Sequence, residues 1–165
     1  MIPLSLYIHF PWCVKKCPYC DFNSHTLKQD LPEEEYISEL IKDFEAELPR
    51  IKNRKIHSIF MGGGTPSLFS PKTIKFLLDH IRNMISFENP HIEITLEANP
   101  GTVEQERFSG FLDAGINRLS LGIQSFNPDK LKRLGRIHDD QAAFRAIDSA
   151  KKAGFKNFNL DLMHG

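Results

Sequence analysis

Short apolar runs alternate with segments of helical spacing along the whole of this chain, and that alternation limits its fold more than any other feature. Residues 4–10, 56–61, 91–96, 117–123 and 158–163 read as strands, being apolar or β-branched and bounded by Pro, Gly or Asn. Between them lie one-faced helical patterns. Ile37, Leu40, Ile41, Phe44 and Leu48 recur at helical spacing after a start with Asp30 as N-cap and Glu33 three residues on, until Pro49. Ser70-Pro71 opens a second helix with Ile74, Leu77, Leu78 and Ile81 on one face, and Thr102 with Gln105 marks a capping box for a third that ends at Gly115. Asn127-Pro128 opens a short helix closing near Gly135, and residues 140–153 form another before Gly154.

Parallel neighbours need crossover connections, so this order predicts an α/β fold with a parallel sheet and helices outside. About five βα units are present where eight close a full barrel, so the expected architecture is a partial (β/α) barrel. A chain of 165 residues holds one core of this kind. The last residues, His164-Gly165, follow a strand with no covering helix, which points to the N-terminal part of a longer protein.

Each strand ends in chemistry-bearing residues: Tyr7 and His9, then Gly62-Gly63-Gly64-Thr65, then Glu97, Gln124 and Asp161. Singly these are ordinary turn or solvated residues. Jointly they converge on the C-terminal edge of the sheet, where parallel β/α proteins bind ligands.

All three cysteines fall in Cys13-Val14-Lys15-Lys16-Cys17-Pro18-Tyr19-Cys20, spaced C-x3-C-x2-C. An odd number crowded into one loop cannot staple distant segments, so a disulfide framework is excluded. Thiolates suit zinc and iron–sulfur sites. A structural zinc would need a fourth ligand, from His9 or His25. Charge is balanced at 21 basic and 21 acidic side chains, with no basic stripe for nucleic acid. The N-terminus lacks the pattern of a signal peptide, and no apolar run approaches the ~20 residues that span a bilayer. A cytoplasmic protein is expected.

The cysteine spacing after a first strand resembles the radical S-adenosylmethionine superfamily. The resemblance implies that Cys13, Cys17 and Cys20 hold three irons of a [4Fe–4S] cluster, the fourth iron being left to the amino and carboxylate groups of S-adenosylmethionine. Reduction of the cluster would then yield a 5′-deoxyadenosyl radical, the hard chemistry belonging to the cofactors. Within the superfamily, Leu6-Tyr7-Ile8-His9-Phe10-Pro11-Trp12-Cys13, Gly62-Gly63-Gly64-Thr65-Pro66-Ser67, Leu96-Glu97-Ala98-Asn99-Pro100, Leu121-Gly122-Ile123-Gln124-Ser125-Phe126 and Asn159-Leu160-Asp161-Leu162-Met163 are similar to the oxygen-independent coproporphyrinogen III oxidases of porphyrin biosynthesis and their haem chaperone relatives. The match implies S-adenosylmethionine contacts from Tyr7 and Tyr19, from Gly63, Gly64 and Thr65, from Arg136 to the carboxylate, and from Glu97, Gln124 and Asp161 to ribose and ammonium.

The oxidases carry a fourth cysteine two residues beyond the third ligand, and here that position is Phe22. This departure disfavours oxidase activity and favours the haem chaperone branch, whose members bind haem and pass it to an acceptor protein. That branch's haem-binding motif lies in a C-terminal part beyond this chain. His9, His57, His80, His91 and His138 are candidate haem ligands only in principle. The fifth strand, left at an edge with Phe158, Leu160 and Leu162 on one face, is expected to self-associate.

Overall fold

A computed structural model describes residues 2–102 and 105–164, the side chains of 102–106 excepted, so the expected Thr102 capping box lies outside the described residues. Strands β1 (Leu4–Phe10), β2 (Trp12–Cys13) and β3 (His25–Thr26) precede helix α1 (Glu33–Glu47). Then follow β4 (Ile56–Gly63), α2 (Pro71–Met84), β5 (Glu93–Ala98), α3 (Gln105–Ala114), β6 (Arg118–Gln124), α4 (Pro128–Arg133), α5 (Asp140–Lys152) and β7 (Phe158–Leu162).

The main sheet is parallel throughout, in the order β1-β4-β5-β6-β7. Each strand lies beside the next main strand in the chain, with no reversal of order, which is the connectivity of a barrel rather than of a doubly wound sheet. Strand alternation separates two faces. Ile59 and Met61, Ile94 and Leu96, and Leu119, Leu121 and Ile123 are buried under the helices, against Ile74, Leu78, Phe108 and Phe111 among others. Each such side chain contributes roughly 1.5–3 kcal/mol on burial. The opposite face carries Ser58, Glu97, Arg118, Ser120, Asn159 and Asp161, so the concave side of the sheet is polar and available to a ligand.

Ser70 caps α2 as expected, its Oγ accepting from Thr73 N, with Pro71 at the first helical position. Asn127 caps α4 in the same way, and Gly115, Gly135 and Gly154 follow their helices with positive φ. The start of α1 differs. Pro32 occupies the cap position without a side-chain bond, so Asp30 is not the cap. Glu33 turns instead to Ser70 N at 2.9 Å and Thr73 Oγ1 at 2.6 Å, joining the N-termini of α1 and α2. The α-helix also ends at Glu47, and Pro49 sits in a 3-10 turn over Leu48–Arg50.

Strand β4 runs two residues past Met61, because Gly62 and Gly63 still pair with His9 and Phe10 of β1. The pair β2 and β3 was not legible in the sequence, being too short to show alternation. It forms a parallel ladder, with His25 N donating to Pro11 O at 2.7 Å and Leu27 N to Cys13 O at 2.8 Å.

Candidate cluster and cofactor site

At the C-terminal edge of the sheet lies a cleft of about 690 Å³. Its lining includes all three cysteines from the loop after β1, Gly63 and Gly64 from β4, Glu97 from β5, Gln124 from β6, and Asp161 from β7. Tyr19 and Arg136 complete the set of expected residues that the fold gathers there. Two expected residues stand apart. Tyr7 points its hydroxyl to His9 Nδ1 at 3.0 Å and stacks on Phe60, and Thr65 is buried with its hydroxyl accepting from Asn99 Nδ2 at 2.9 Å.

The thiols are free and half-buried, on a turn closed by Cys20 N donating to Cys17 O at 3.0 Å. Among the described residues, no three His, Cys, Asp or Glu side chains converge tightly enough to hold a single metal ion. Four ligands on one zinc at about 2.3 Å would lie only about 3.8 Å apart, whereas a multi-iron cluster spreads its thiolates further. His9 is also unavailable as a zinc ligand, since its Nδ1 meets Tyr7 Oη and its Nε2 meets Asn23 O at 2.7 Å. Three thiols on one loop at the edge of the cleft suit an iron–sulfur cluster, for which thiolate is the usual ligand.

Arg136 ties the loop to the sheet. Its guanidinium donates to Cys17 Sγ at 3.3 Å, Tyr19 Oη at 3.4 Å and Gly122 O at 2.8 Å, and also to Asn99 Oδ1. The remaining Nε is buried without a partner. A permanently charged, planar fork suits both thiolate and carboxylate.

The glycines have a reason within the chain itself. Gly63 has φ +109°, and a Cβ there would lie 2.4 Å from the His9 ring. At Gly64 a Cβ would meet Trp12 O at 2.5 Å and Phe10 O at 2.8 Å. Close packing of β4 on the entry to the cysteine loop requires both.

Glu97 accepts from Gly63 N at 3.1 Å, yet burial, with a smaller contribution from Asp161, holds its carboxyl above the usual range. Asp161 accepts from Ser120 Oγ at 2.8 Å and Asn159 Nδ2 at 2.7 Å. Arg118 donates to Asn159 Oδ1 at 2.5 Å, so the inner wall is a connected polar network. Arg118, Ser120 and Asn159 were overlooked in the sequence. The signal was present as alternation, since Arg118, Ser120, Gly122 and Gln124 share one face of β6 and Leu119, Leu121 and Ile123 the other. Gln124 itself has φ +64°, at a break in the β6–β7 register. Burial raises the Tyr19 phenol above its ordinary value against the opposing pull of Arg136.

Of the candidate haem ligands, His138 is buried with Nε2 donating to Ile123 O at 3.0 Å, and His57 pairs with Glu88 at 2.7 Å. His80 Nδ1 meets Phe76 O at 2.9 Å. None of the five candidates lines the cleft.

Comparison with known proteins gives a consistent picture. The family model of the radical SAM superfamily matches residues 7–165. The Heme chaperone HemW of Haemophilus influenzae is 64% identical over 99% of this chain, and that of Escherichia coli 53% identical over 99%. The chain spans 43% of the length of each of these relatives. Among solved structures, the radical SAM enzyme coproporphyrinogen III oxidase (HemN) of Escherichia coli superposes with a TM-score of 0.87 at 31% identity, covering 99% of this chain and 37% of that one. The chain belongs to the radical SAM superfamily.

Proposed function

We propose that this chain is the [4Fe–4S]- and S-adenosylmethionine-binding part of a cytoplasmic haem chaperone, the N-terminal portion of a longer protein that binds haem and transfers it to an acceptor protein. The observation that carries the reading is the meeting of Cys13, Cys17 and Cys20 with Glu97, Gln124, Arg136 and Asp161 around one cleft. Identity to the HemW haem chaperones supports the choice of branch. Phe22, 60% exposed beside the cleft where an oxidase would carry a fourth cysteine, disfavours coproporphyrinogen oxidase activity.

In this reading the three thiolates hold the cluster, which supplies one-electron reduction. The chain's own residues do the rest. Arg136, by turning Nη1 away from Tyr19, would meet the ligand carboxylate, Glu97 and Asp161 are acceptors for ammonium and ribose hydroxyls, and Gln124 adds a neutral amide. Tyr19 presents an aromatic face to the adenine or the sulfonium. No helix among the described residues is long and apolar enough to cross a membrane.

The test is chemical analysis after anaerobic reconstitution, followed by S-adenosylmethionine titration. About four irons and four sulfides per chain with a brown chromophore are expected. One zinc and no colour would overturn the reading. Haem transfer to an acceptor apoprotein is to be measured on the full-length protein.

A further inference from the structure

One cation organises the inner wall of the cleft. Arg118, at the start of β6, lines the cleft while its neighbours Leu119 and Leu121 lie buried on the opposite face. Its Nη2 donates to Asn159 Oδ1 at 2.5 Å and its Nη1 to Thr95 Oγ1 at 3.4 Å, with Glu93 Oε2 3.8 Å from its Nε.

A guanidinium offers N–H donors and no acceptor, so the amide of Asn159 must present its oxygen to it. The amide nitrogen is thereby turned the other way, donating to Asp161 Oδ1 at 2.7 Å and Ser120 Oγ at 3.2 Å. Ser120 Oγ, now an acceptor, sends its single hydrogen to Asp161 Oδ2 at 2.8 Å. The direction of each hydrogen bond from Arg118 to Asp161 thus follows from the chemistry of Arg118, and bonds in such a chain polarise one another.

The backbone does not hold Asp161 by itself. The β6–β7 ladder pairs Ser120 with Asn159 and Leu121 with Leu160, then slips, so that the next pair is Gln124 with Leu162. Asp161 stands opposite that irregularity, on the last strand of the sheet. Side-chain bonds therefore decide where its carboxylate lies. Each carboxylate oxygen takes one donor from the wall and keeps a second acceptor site.

We propose that Arg118 is a positioning residue of the ligand site, acting through Asn159 and Ser120 to hold the Asp161 carboxylate ready for donor groups of the bound small molecule. The inference rests on the S-adenosylmethionine reading above and deepens it. A ligand group that can only accept finds no partner at this carboxylate.

The experiment is calorimetric titration of S-adenosylmethionine into the anaerobically reconstituted chain, arranged as a double-mutant cycle between Arg118→Met and Asp161→Asn. Asp161→Asn alone should weaken binding, and Arg118→Met alone should weaken it at least about fivefold, with iron content unchanged in both. On the Asp161→Asn background, Arg118→Met should change affinity less than about twofold, because the carboxylate that Arg118 positions is gone. A merely structural role gives the same loss on both backgrounds, and that result overturns the proposal. So does unchanged affinity in either single variant. Should circular dichroism show Arg118→Met unfolded, Asn159→Leu takes its place in the cycle and is read by the same criteria. A parent chain that takes up no cluster or binds no S-adenosylmethionine sinks the reading above first, and this inference with it.

Discussion

Arg136 Nη1 lies 3.3 Å from Cys17 Sγ, joining residues 119 apart in the chain and bringing a fixed positive charge onto a thiol of the candidate cluster. The same guanidinium holds Asn99 at the end of β5 and Gly122 in β6. The cysteine loop is therefore referenced to the sheet edge from which the ligand-facing residues project.

Replacing Arg136 by Ala should weaken S-adenosylmethionine binding by about 1.5–3 kcal/mol, the usual scale for a hydrogen bond to a charged group. Iron should be retained, because all three thiols remain. Calorimetric titration checks the first part and iron analysis the second; equal affinity would remove Arg136 from the ligand site.

Cys17→Ser should abolish the cluster while leaving the sheet and helices folded. The thiol sits on a loop, and the buried apolar cluster is built from strands and helices elsewhere. Iron content and far-ultraviolet circular dichroism together decide this, and undiminished iron would rule out the loop as the ligand set.

Glu97 yields a pH prediction. Its carboxyl is raised by burial first and by Asp161 second, so the folded state holds a proton between the ordinary value of 4.5 and the raised one. The unfolded state does not, and stability falls as pH rises through that window. Glu97→Gln should remove this dependence and be at least as stable as the parent at pH 7, since an amide oxygen can still accept from Gly63 N. Its affinity for S-adenosylmethionine should fall. Denaturant melts of both forms at pH 4 to 8 provide the check, and a variant clearly less stable at pH 7 would contradict it.

His138 has the opposite sign. Burial first, then Arg136, holds its imidazole below the ordinary 6.5, and the neutral ring donates from Nε2 to Ile123 O while Nδ1 is buried without a partner. The unfolded state therefore binds the extra proton, and stability is lost as pH falls from about 6.5 toward the folded value. His138→Gln should lose less over that range, as measured by thermal melts at pH 5.5 and 7.5.

Self-association of the isolated chain is expected through β7. Phe158 and Leu160 pack against the core, but Leu162 is 61% exposed at the end of a strand with a free edge. Sedimentation should show concentration-dependent dimers or larger species, reduced by Leu162→Lys. A monomer at all concentrations would show that five strands make a sufficient sheet.

The strands and helices were legible because each carries its own period, and the cysteines because their spacing has few uses. The convergence of Glu97, Gln124 and Asp161 followed from the rule that parallel strands present their C-terminal ends together. What could not be read was anything that depends on side-chain reach. Glu33 abandons its capping box for Ser70 and Thr73 across the helix pair, and Asn99 serves as a bridge between Thr65 and Arg136. Nor does the sequence reveal that the turn after α4 meets the cysteine loop, since only tertiary packing brings Gly135 against Pro18.

The pairing of Trp12–Cys13 with His25–Thr26 would have a kinetic meaning for the proposed metal uptake. It makes the cysteine loop a closed ring, its ends fastened by backbone hydrogen bonds rather than by a ligand. Members of a ring cannot drift apart, so each thiol sees the other two at high effective concentration, and the entropy of closing the loop is already spent. If one thiolate captured an iron as proposed, the other two would reach it by small local movements of the turn, without a search by the rest of the chain.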